Sequence, residues 1–133
     1  MIVWRVETAN HDGPFQSRGG FIGLSRAMTK NGEDVWVSTK NHPDWSVDFS
    51  WHNDTSMYYF GCDSFQQLKH WFGMIKTIEY LRNHSFRIAK YECETNQVII
   101  GHSGLQLIFN MAASIAKQFF DMGVLLNEEE PAA

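Results

Sequence analysis

Met57-Tyr58-Tyr59-Phe60-Gly61-Cys62-Asp63-Ser64-Phe65-Gln66-Gln67-Leu68-Lys69-His70-Trp71-Phe72 is the stretch on which the fold turns. Apolar and aromatic residues run from Met57 into Gly61 and predict a strand that ends at a short turn. Ser64 then stands where a helix needs an N-cap, because its hydroxyl can accept a bond from an otherwise unpaired amide of the first turn. Gln67, three residues on, has the spacing of a capping box. Phe65, Leu68, Trp71, Phe72 and Ile75 recur at helical spacing and mark a buried face. A polar side chain at a strand-to-helix junction can bind a ligand or simply cap the helix, so Ser64 carries both readings.

Working outward, Ile2 to Glu7 reads as a strand and Asn10-His11-Asp12-Gly13-Pro14 as the turn that breaks it. Phe15 to Met28 is Gly-rich, with a short helix expected around Gly23 to Lys30 and a short strand at Val35-Trp36-Val37. Ser38 to Asp54 reads as a long polar loop. Ile75 to Asn83 continues the helical region. Phe86 to Cys93 and Gln97 to Gly101 read as strands. Ala112, Ile115, Ala116, Phe119 and Phe120 fall on one apolar face and predict a C-terminal helix. The expected fold class is α+β: a small mixed sheet, a central helix after the Met57-Gly61 strand, and that C-terminal helix. One domain is expected over residues 1–126, with an acidic tail at 127–133.

The 133 residues include 44% hydrophobic and 14% aromatic side chains, enough for a packed core without disulfide or metal staples. The net charge is −4. Without Glu128, Glu129 and Glu130, twelve acidic residues face eleven basic ones, so the body is nearly neutral. That disfavours nucleic-acid binding, which needs a basic face. Two cysteines are too few for a disulfide framework and fit a reducing compartment. No signal peptide is read at the N-terminus, and no stretch approaches the roughly 18 apolar residues of a membrane span. The expected location is the cytoplasm, with no membrane partner.

The chemistry-bearing candidates are few. Histidine and cysteine spacings match no metal-ligand pattern, so no metal site is expected. Gly19-Gly20-Phe21-Ile22-Gly23 follows no clear strand and reads as a loop and not a phosphate cradle. Arg5 is the charged residue within the apolar part of the first strand. It either faces solvent or points into a cleft as an anion clamp. Trp45 and Trp51 lie in a polar loop without periodicity, where aromatics tend to contact a partner. The apolar C-terminal helix is a candidate homodimer surface.

Val3-Trp4-Arg5-Val6-Glu7 with Gly13-Pro14-Phe15, then Tyr59 to Phe72, then Phe86 to Tyr91 with Gly101 and Gln106-Leu107-Ile108-Phe109, together resemble a group of small bacteriophage-encoded proteins. The resemblance spans residues 2 to about 109. It favours Leu105 to Phe109 as a strand, against a capping box at Ser103-x-x-Gln106. It implies a counter-defence role: a host protein, such as a defence factor, bound and inhibited inside the host cell. The order of elements also resembles a minimal ADP-ribosyltransferase. That alternative implies an ADP-ribosyltransferase-like enzyme or an NAD-type nucleotide-binding protein acting on a host target, with NAD as cofactor, Arg5 on its phosphates, Ser64 at the nicotinamide, and Gln106 or Glu92 at the ribose. Gln106 is neutral where such an enzyme carries a glutamate, and Glu92 is the carboxylate on the neighbouring strand.

Overall fold

The computed structural model describes residues 1–13, 48–49 and 58–132. Six strands and two α-helices follow one another there: β1 (Ile2–Glu7), β2 (Tyr58–Gly61), α1 (Phe65–Phe72), α2 (Ile75–Asn83), β3 (Arg87–Cys93), β4 (Val98–Ile100), β5 (Leu107–Asn110) and β6 (Ser114–Asp121). Short 3-10 turns cover Thr95–Gln97, Met111–Ala113 and Met122–Leu126. The α+β class expected from the sequence is what the chain adopts. The expected small sheet is two, ordered β1-β3-β6 and β2-β5-β4, with every pairing antiparallel. They meet where Trp4 and Cys62 exchange backbone bonds of 2.8 and 2.7 Å.

Alternation along β1 divides the core. Trp4 and Val6 face the helices with Ile88, Phe65, Leu68, Phe72, Ile78 and Leu81. Val3 faces the other way, with Ala89, Tyr91 and Cys93, onto Leu107 and Phe109 of the second sheet. β1 is therefore buried on both sides, with Val3 sharing its second face with Arg5 and Glu7, while β3 interleaves Arg87, Lys90 and Glu92 with its buried apolar residues. Gly61 is required where the sheets approach, since a Cβ there would come 2.5 Å from Cγ1 of Val3.

The junction at Ser64 folds as its residues dictate. The amide of Gln67 donates to Ser64 Oγ at 3.0 Å, and Gln67 Oε1 accepts from the amide of Asp63, one residue before the cap. Phe65, Leu68, Trp71 and Phe72 are all buried.

The predicted C-terminal helix is not formed. Ser114 to Asp121 is instead the outer strand of the first sheet, paired with β3. Lys90 faces Gln118 while Tyr91 faces Ala116, so Lys117 is the extra residue of a β-bulge. The bulge shifts the two-residue alternation and leaves apolar residues at 115, 116, 119 and 120, a spacing that mimics a helix. Phe120 stacks on Trp4 on one face, with ring centres 5.9 Å apart, while Phe119 lies under Arg87 on the other. Backbone pairing with β3 satisfies groups that a buried central strand cannot leave open. The homodimer surface expected on that helix therefore has no helix to stand on.

The tail is held at its start. Gln66 Nε2 donates to the carbonyl of Glu128 at 3.1 Å, and Lys69 Nζ to that of Asn127. No helix among the described residues is long and apolar enough to cross a membrane.

Candidate functional site: a buried ionic cluster

Arg5 and Glu7 are two residues apart on a strand, so their side chains leave the same face. That face meets the second sheet, and both side chains are 0% exposed. Arg5 Nε sits 3.3 Å from Glu7 Oε1, an ion pair not aligned as a hydrogen bond. Its two terminal nitrogens donate to the carbonyls of Phe60 and His11, each at 2.8 Å. The guanidinium also lies 5.1 Å from the centre of the Tyr59 ring. Burial pulls the Arg5 guanidinium below its usual range, and the Glu7 carboxylate opposes that pull.

Glu7 is the hub. Tyr91 donates its hydroxyl to Oε1 at 2.7 Å, Arg87 donates to Oε2 at 3.2 Å, and His11 Nδ1 is 2.9 Å from Oε2. Burial raises the Tyr91 phenol far above its ordinary range, and its bond to Glu7 adds to the shift. The turn after β1 presents His11 at φ 67°, in the left-handed region. It is closed by the bonds His11 N to Thr8 O and Thr8 N to Asp12 O, both 2.9 Å. The imidazole is 46% exposed, so the cluster reaches the surface there.

A family model, the Bacteriophage T4 Y00F protein, matches residues 1–123, which takes in both sheets and the whole cluster. The chain belongs to that family. No curated protein and no solved structure matches it. The match agrees with the resemblance of the sequence to small phage-encoded proteins.

The structure does not gather the residues singled out in the sequence into one place. Arg5 is engaged inside the ionic cluster. Ser64 caps α1. Gln106 is buried elsewhere, its Nε2 donating to Asp48 Oδ2 at 2.9 Å. Asp48 also takes the amide and hydroxyl of Ser103, at 2.6 and 2.9 Å. Glu92 is exposed on β3, paired with Lys117 at 3.3 Å. Trp45 and Trp51 lie outside the described residues. Among the described residues no group of three His, Cys, Asp or Glu side chains is placed to hold a metal ion.

Glu7, His11, Arg87, Tyr91 and Asp48 were missed in the sequence as site residues. Arg5 and Glu7 carried a signal: opposite charges at i and i+2 on an otherwise apolar strand share a face, and a shared buried face requires them to pair. Nothing in the spacing marks Tyr91 or Asp48, because their partners are more than fifty residues away.

Proposed function

We propose that this phage family member is an accessory protein that binds a host protein, such as a defence factor, and blocks it in the host cytoplasm. The observation that carries this reading is the outer strand β6. Ile115 and Phe119 are 63% and 45% exposed there, on opposite faces of one strand, with a guanidinium stacked on Phe119. Exposed apolar side chains beside an arginine have the composition of interface hot spots. Trp45 and Trp51 are the further partner contacts proposed. The NAD-dependent alternative requires groups that are already occupied: Arg5 bonds inward, Ser64 caps a helix, and Gln106 holds Asp48.

The test places a photo-crosslinking residue at position 119 in the full chain expressed in host bacteria. One discrete host protein is expected, lost in the Ile115→Ser variant. Incubation of the same protein with labelled NAD and a host extract is expected to leave every macromolecule unlabelled. Transfer of label would replace the binding reading with the transferase one.

A further inference from the structure

We propose that the outer edge of β6 receives an extended, carboxylate-bearing segment of the partner protein, added to the first sheet as its next strand. This rests on the binding reading above and gives the partner a chemistry. The sheet order ends at β6, and among the described residues no strand pairs with its outer side. The amides and carbonyls of an antiparallel strand point alternately inward and outward, so an edge strand offers a ready template for another chain.

Charge decides what that chain is. Arg82, Arg87, Lys90 and Lys117 surround the strand, against the exposed carboxylates of Glu92 and Asp121. Glu92 pairs with Lys117, Asp121 with Arg82, and Glu7 with both Arg5 and Arg87, so with Lys90 five cations stand against three carboxylates and a charge of +2 remains. The edge is therefore electropositive on a chain of net charge −4, which suits an acidic segment and repels a basic one.

Lys117 also discriminates against a second copy. It lies at the middle of the eight-residue strand, in the bulge. Two copies of β6 paired antiparallel in the register centred on Lys117 would set the two Lys117 side chains opposite each other, and like charges across a strand pair destabilise it. Lysines and bulges are the usual guards of an open edge. A partner strand with glutamate or aspartate opposite Lys117 turns that guard into an attraction. Phe119 with Arg87 then grips one face of the added strand and Ile115 the other.

The test uses the full-length protein and two short peptides, one alternating Val and Glu, the other Val and Lys. In the free protein, some amides of 114–121 are expected to exchange quickly with solvent. The Val–Glu peptide is expected to slow that exchange and the Val–Lys peptide to leave it unchanged. Lys117→Glu is expected to weaken Val–Glu binding about fivefold or more. Lys117→Gln, which removes the charge without placing a second carboxylate beside Glu92, is expected to fall between. Slow exchange of every β6 amide in the free protein would mean the edge is already covered and would overturn the proposal. So would equal protection by both peptides, or protection that grows with protein concentration alone. Crosslinking of a host protein from positions 45 or 51 with β6 unaffected would sink the edge proposal and leave the binding reading standing. No crosslink from any of these positions would remove the binding reading itself.

Discussion

Four neighbours from three parts of the chain converge on the Glu7 carboxylate: Arg5 beside it, His11 in the following turn, and Tyr91 with Arg87 on β3. Such a group is costly to leave uncompensated. Arg5→Ala is expected to lower stability by about 3–5 kcal/mol, the usual penalty for stranding a buried charge. Arg5→Met combined with Glu7→Gln should cost less than the sum of the two changes made singly. Urea denaturation of the native protein, Arg5→Ala, the two single changes and the double variant measures both. The Tyr91 phenol gives the cluster a pH signature. Its folded pKa is raised, so its contribution is complete below the unfolded value of about 10 and is lost as pH climbs above it. Stability is therefore expected to fall through alkaline pH in the native protein, and less steeply in Tyr91→Phe, as thermal melts across that range would show.

At the level of elements, the helix α1 was legible because capping, periodicity and burial agree. Ser64→Ala is expected to cost about 1 kcal/mol in urea titrations, through loss of the cap. It should leave partner crosslinking intact. β6 was not legible, because one inserted residue disguised alternation as a helical repeat. Ile115, Phe119 and Phe120 have strand propensity, yet only β3, more than twenty residues earlier, reveals what they pair with. The strand assignment has its own check: amides on either side of Lys117 should show alternating exchange protection, and Gln118→Pro should disturb the sheet without reducing helical circular dichroism. Gly61→Ala tests the close approach of the sheets. Forcing a methyl group against Val3 is expected to cost about 1–3 kcal/mol in the same titrations.

Over the whole molecule, one sheet serves two cores, with helices against one face and the second sheet against the other. The fold class was visible because the strands and helices each announce themselves locally. The ionic cluster was not, because it is assembled by register: Glu7 faces Arg87 and Val3 faces Tyr91 only once β1 and β3 are aligned. The Asp48 contacts follow the same logic, joining a single point of the 48–49 segment to the β4–β5 connection. Asp48→Ala removes three accepted bonds at once and is expected to lower the melting temperature by several degrees, as the loss of buried hydrogen bonds does in a domain of this size.

The pairing of β1 with β3 has a consequence for how the chain is made. Ile2 pairs with Glu92 and Glu7 with Arg87, residues 90 and 80 positions later. At a synthesis rate of roughly 5–20 residues per second, the first strand leaves the ribosome some 4–18 seconds before its partner exists. Throughout that interval Val3, Trp4 and Val6 of the nascent chain lack the strand that covers them, and Arg5 and Glu7 have neither Tyr91 nor Arg87. The first sheet thus begins to close only when β3 arrives, and both cores wait longer still, for Leu107, Phe109, Met122 and Leu125, so chaperones and proteases meet an open chain for most of its synthesis.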